Sequence, residues 1–185
     1  MRVRILLFVA ALGFAITSCE KIKDATAVDA DVTLKVDIPL ESTEEASLVG
    51  QKSAKVIYPF SGSATLDLAT DEDVKEYVDG LRNIEASDVL MSVSGLTTDQ
   101  VLTFVQVHVE VENTSHTATY MAMDVTVENS DNWVLTAFMD FVNSWDIQKN
   151  TVVKWTVNGT SNFKMEPDVV KIKVKIPSTI SYSPL

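Results

Sequence analysis

Between Asp31 and Ile38 polar and apolar residues alternate one by one. Val32, Leu34, Val36 and Ile38 fall on one side, and Asp31, Thr33, Lys35 and Asp37 on the other. Period two marks a half-buried strand, and Pro39 limits its continuation. Residues 41–50, with Glu41, Glu44 and Glu45, read as a solvated loop. A second extended stretch runs from Ala54 to Leu68 and is broken near Pro59 and Ser61-Gly62-Ser63. The period then changes. Val74, Tyr77, Val78, Leu81 and Ile84 recur at helical spacing behind a cap at Thr70, so residues 71–83 are predicted as an amphipathic helix. Asp71, Glu72 and Asp73 suit the positive end of its dipole. They do not have the spacing or the glycine of a calcium loop.

Strand signals resume at Asp88–Ser94 and stop at Gly95. Val101–Val111 places Val101, Val105, Val107, Val109 and Val111 on one face, and Tyr120–Glu128 places Met121, Met123, Val125 and Val127 on one face. Asn113-Thr114-Ser115-His116 between them reads as a hairpin turn. Residues 133–145 fit a helix through Val134, Ala137, Phe138, Phe141, Val142 and Trp145, with Ser130, Asp131 and Asn132 as caps. A strand is the other reading of that segment. Thr151–Val157 is a strand closed by Asn158-Gly159, and Val170, Ile172, Val174 and Ile176 alternate with Lys171, Lys173 and Lys175 in the last one. Two strand–helix–strand units, 66–95 and 125–159, echo one another weakly. The expected fold is mainly β: an antiparallel sandwich of about seven strands with one or two short helices packed on it. The other arrangement is a curved sheet around an apolar pocket lined by Met121, Met123, Phe138, Met139 and Phe141.

The first 19 residues break this pattern. Met1-Arg2-Val3-Arg4 is basic, Ile5–Ile16 is an apolar run of twelve, and Ile16-Thr17-Ser18-Cys19 follows. The run is shorter than the roughly 20 residues that span a bilayer, and it has signal-peptide anatomy. The tetrad resembles the lipobox of bacterial lipoproteins, with Ile16 for the usual Leu and Ser18 for the usual Gly or Ala. The resemblance implies cleavage after residue 18, lipid attachment at Cys19 and membrane anchoring through its acyl chains. Glu20, where an inner-membrane retention signal would have Asp, implies the outer membrane of a Gram-negative envelope, on its periplasmic or surface face. Residues 19–30 would be a tether and 31–185 a single domain. Beyond the lipobox the chain is similar only in general character to small envelope lipoproteins.

Composition narrows the chemistry. A formal charge of −11 disfavours nucleic acid, and Arg82 is the sole arginine after the leader. One cysteine and two histidines allow no internal disulfide and no ordinary zinc site. No nucleophile elbow, phosphate loop or zinc-protease motif is present. Neither a catalytic residue nor a cofactor is therefore expected. His108 would need Asp124 opposite it to act as an oriented base, in a hairpin register where it could instead face Tyr120 or Ala122. His116 reads as turn chemistry. Lys171, Lys173 and Lys175 could bind an anion, guard a sheet edge, or pair with the polar face of the first strand. Trp133 and Trp145 are candidate sugar platforms, or core under the second helix. Two functions follow: a non-enzymatic envelope lipoprotein with a structural, adhesion or accessory binding role, or a carrier for an apolar ligand such as a lipid. The partner could be glycan, lipid or protein.

Overall fold

The computed structural model describes residues 27–43, 47–49, 55–131, 133–148 and 150–183; the leader and Cys19 lie outside the described residues. The described chain forms β1 (Val28–Ser42), β2 (Ser47–Val49), β3 (Lys55–Asp67), β4 (Leu81–Ala86), β5 (Leu90–Ser94), β6 (Leu102–Val111), β7 (Thr117–Val125), β8 (Trp133–Val134), β9 (Val152–Ser161) and β10 (Val170–Tyr182), with one helix, α1 (Thr136–Asn143). It is a mainly β, antiparallel sandwich with more strands than the alternation alone marks out. A front sheet runs β7-β6-β9-β3, and a back sheet is built on β1 and β10. β4 and β5 share the far side of β10, and β8 pairs with β5.

β1 belongs to both sheets. Val28–Leu40 pairs with β10, and Glu41 and Ser42 then pair with Ser61 and Phe60 of β3. Pro39 does not stop this strand. It sits where β1 leaves one ladder for the other, so its missing N–H costs little. Ser61-Gly62-Ser63 does not break β3 either. A Cβ on Gly62 would overlap the Pro39 carbonyl, so glycine lets the crossing strand lie close. β1 also starts at Val28, within the expected tether.

The core fills the space between the sheets. Leu34, Ile38, Leu40, Val105, Val107, Val157, Ile172 and Ile176 are all buried. Each contributes about 1.5–3 kcal/mol by leaving water. Trp155 is the largest fully buried side chain, and Phe138 of α1 meets it edge to face at 5.5 Å. The helix packs against both β4 and β7, bridging the two sheets at one side. It is shorter than the 133–145 segment: Trp133 and Val134 pair with β5, and Leu135 precedes the helix with no side-chain cap. Its C-terminal end is held instead. Asn143 Oδ1 accepts the Ala86 N–H at 2.7 Å. His116 donates from Nε2 to the Phe141 carbonyl at 2.7 Å and stacks on the Phe141 ring at 4.5 Å.

Residues 71–83 are not an α-helix. Asp71 accepts one i+4 bond, from Lys75, and Val78–Gly80 is a single 3-10 turn. Asp67 and Asp71 each accept a backbone N–H two residues on, which favours turns over helix. Leu81 and Ile84, which supplied the helical spacing, lie in β4 opposite Tyr182 and Ile180. Pairing with β10 overrides the local pattern. With the helix gone, the strand–helix–strand echo fails too. β9 likewise continues through Asn158-Gly159 to Ser161. Gly159 lies under the buried Phe60 ring, and a Cβ there would overlap both that ring and the Phe104 carbonyl.

Gly159→Ala should therefore destabilise the protein by about 1–3 kcal/mol through overpacking, read as a lower urea midpoint with an unchanged slope. His116→Ala should cost about 1–2 kcal/mol by freeing the Phe141 carbonyl and unstacking the ring, read by the same denaturation.

Candidate functional site

The β6–β7 register decides which residues the front sheet shows to solvent. Gln106 faces Met121, Val107 faces Tyr120 and His108 faces Thr119. The valines and the methionines, each grouped on one face of their own strand, therefore lie on opposite faces of the sheet. Val105, Val107 and Val109 point into the core beside Ala118, Tyr120 and Ala122. Met121 and Met123 point outward and are 58% and 72% exposed. They cannot line a pocket with Phe138 and Phe141, which are buried in the core on the other side.

The three ladders of the front sheet align its outward residues into rows. Ser61, Asn158, Gln106 and Met121 form one row, and Ser63, Thr156, His108 and Thr119 the next. Pro59, Thr160, Phe104 and Met123 flank them on one side, and Thr65, Lys154, Glu110 and Thr117 on the other. None of these positions is buried. Short hydroxyl and amide side chains predominate in this lattice of rows, beside the apolar Pro59, Phe104, Met121 and Met123, and within it Glu110 and Lys154 face each other as the fixed charges. At its β3 margin, beside the β1 crossing, lies a groove of about 490 Å³ lined in part by Glu41, Ser61, Ser63, Thr156, Asn158 and Asp168. Hydroxyls, amides and carboxylates offer both donors and acceptors to a neutral polar ligand. Sequence reading puts Ser61 and Ser63 at a break, Asn158 at a strand end, and Thr117 and Thr119 before the second hairpin strand. It missed the lattice because the lattice exists only through the register.

His108 sits within the lattice. Its Nδ1 lies 3.0 Å from the Thr119 hydroxyl, and its Nε2 is 3.9 Å from Glu110. Across the hairpin its neighbour is Thr119, not Tyr120, Ala122 or Asp124. The oriented base that Asp124 would have made is therefore absent, and Asp124 itself turns into the left-handed region at φ 51°. Among the described residues, no three His, Cys, Asp or Glu side chains are grouped to hold a metal ion.

The expected ligand residues are scattered. Lys171, Lys173 and Lys175 lie on the outer face of the back sheet. β10 is flanked by β1 on one side and by β4 and β5 on the other, so the lysines do not guard an edge. Lys173 faces Asp37, Lys175 faces Lys35, and Lys171 reaches Asp168 at 3.6 Å. Packing beside the first strand's polar face is thus what the fold makes of them. Trp145 is 6% exposed and gives its indole N–H to the Asn150 carbonyl at 2.9 Å, so its ring is core and offers no sugar platform. Trp133 is half-buried, bonded to the Asn129 carbonyl at 2.8 Å and tilted on Tyr120 at 6.1 Å.

No family model and no curated protein matches the chain. Among solved structures it is similar to a chain of Turnip yellow mosaic virus (11% identity, 84% of this chain and 96% of that one, TM-score 0.40). It is also similar to chains of Cocksfoot mottle virus (8% identity, 85% and 95%, TM-score 0.42) and Desmodium yellow mottle tymovirus (11% identity, 85% and 84%, TM-score 0.35). Likeness at this level carries no inference about what this chain does.

The three indoles give a direct check on burial. Acrylamide should quench one component of the tryptophan emission strongly, and Trp133→Phe should remove that component. The emission left, from Trp145 and Trp155, should be blue-shifted and largely shielded.

Proposed function

We propose that the chain is a cell-envelope lipoprotein with a non-enzymatic structural, adhesion or accessory binding role, anchored through lipidated Cys19. The observation that carries the binding role is the sparsely charged polar lattice of the front sheet with its marginal groove. In a chain of net charge −11 the four rows hold a single carboxylate, Glu110, and it faces Lys154. Charge depletion of this kind distinguishes contact surfaces from the solvated remainder. The two histidines support the non-enzymatic reading. His116 latches α1 and His108 joins two strands, so each imidazole has a structural use. The anchor rests on Ile16-Thr17-Ser18-Cys19 and the apolar run before it.

The carrier reading is weaker. Phe138 packs on Trp155 beneath α1, and the side chains expected to line a pocket divide between the core and the outer face. Acyl anchoring and a free-standing acidic domain are physically consistent, because a negative surface is repelled from anionic lipid.

Replacing the attachment residue tests the anchor. Cys19→Ala should lose incorporated lipid label and move the protein from the membrane to the soluble fraction. Unchanged fractionation would sink the lipoprotein reading. For the binding role, Thr156→Arg at the centre of the lattice should reduce adhesion to isolated envelopes, while Lys173→Glu on the back sheet should leave it unaltered. Equal effects of the two would count against the lattice.

A further inference from the structure

β7 ends the strand order of the front sheet, and among the described residues no strand pairs with its outer side. An open edge is a row of backbone donors and acceptors ready for another strand. Proteins blunt such edges with very short strands, lysines, prolines, bulges or a covering helix; α1 packs on β7 through the inward ring of Tyr120, which meets Phe138, and does not extend its ladder. The opposite end of this strand order is blunted in the first way, since β8 has only two residues. β7 is not. Its first seven residues, Thr117 to Met123, contain no charge, no proline and no glycine. The left-handed backbone at Asp124 comes only after them. Met121 and Met123 stand exposed along this edge, with the half-buried Phe104 beside Met123.

We propose that β7 is the interface for a second copy of this chain, paired antiparallel across a two-fold axis to make one continuous sheet through both front sheets. Charge selects that occupant. Two copies at −11 each repel over most of their surfaces. The edge from Thr117 to Met123 is a stretch where they meet without bringing carboxylates together. A cationic partner would be drawn to the acidic surfaces elsewhere and gains nothing from a neutral edge. The register centred on Tyr120 keeps all seven neutral residues in the ladder and leaves Asp124 outside it. Met121 then faces Thr119 of the partner subunit, and the two Met121 side chains lie diagonally within reach of one another. A two-fold perpendicular to the sheet also keeps both polar lattices on the same side, so the pairing doubles that face.

Sedimentation equilibrium on the full chain in mild detergent, with hydrogen exchange on the same samples, tests the proposal. The wild type should sediment as a dimer, with slow exchange at β7 amides on both sides of the strand. Met121→Glu combined with Met123→Glu should weaken the dimer on the order of a hundredfold, by removing four apolar side chains and adding like charge across the axis. Both positions face solvent, so near-UV circular dichroism should stay unchanged. A monomeric wild type with a fast-exchanging outer edge on β7 would overturn the proposal, including the case where β7 pairs only with an added peptide. So would a dimer that the double variant leaves intact.

Discussion

The ladder between β1 and β10 is the constraint on which the rest of the sandwich depends. It pairs Val28 with Tyr182 at one end and Leu40 with Val170 at the other, joining the first and last strands of the described chain. Leu34, Val36 and Ile38 thereby meet Ile176, Val174 and Ile172 along one buried stripe. Everything in the back sheet hangs on this pair, since β4 and β5 attach to β10 and β8 to β5. The front sheet depends on it as well, because the last residues of β1 seed β3. A contact between chain ends closes the longest loop in the fold. Such pairing forms slowly, and its loop entropy must be offset by the apolar stripe it buries.

That dependence explains what could be read in the sequence. Strands with strict alternation and strong β-formers were legible one at a time, as β1, β6 and β10 show. Where a residue's fate is set by a distant partner, local pattern misleads. Leu81 and Ile84 have helical spacing with Val74 and Tyr77, yet β10 offers them a ladder and a core position. The β6–β7 register failed for a subtler reason. The bond from the Val111 N–H to the His116 carbonyl closes a four-residue loop, with Asn113 at φ 60°. A loop one residue longer or shorter would have put the methionines on the valine face. A shift of one residue exchanges faces, and turn composition alone does not count the loop.

The site was legible to the same degree. Gln106, His108 and Glu110 are visible as the outward half of an alternating strand, whereas Ser61, Ser63 and Asn158 have the look of breaks. Their assembly into one sparsely charged surface needs three registers at once. The tryptophans and the lysine row were conspicuous by type, and type proved a weaker guide than position. Trp145 is core, and the lysines lie beside the polar side of β1.

Charge ties the two sheets together. The back sheet carries Asp31, Lys35, Asp37, Lys171, Lys173 and Lys175 on its outer face, where opposite signs are interleaved. The loops take most of the remaining carboxylates, including Asp71, Glu72 and Asp73, of which Asp73 reaches Lys35 at 3.7 Å. The front lattice and β7 are left almost uncharged. Segregation of this kind is not needed for folding, since surface ion pairs contribute little to stability wherever they stand. It has a consequence for association. A uniformly acidic sandwich would be kept apart from its own copies at every approach, and an exposed β edge would then be harmless. Withdrawing charge from one face and from the edge that borders it removes that protection at the place where backbone groups are open. The same arrangement that frees the lattice for contact therefore makes β7 the least repulsive approach between two molecules.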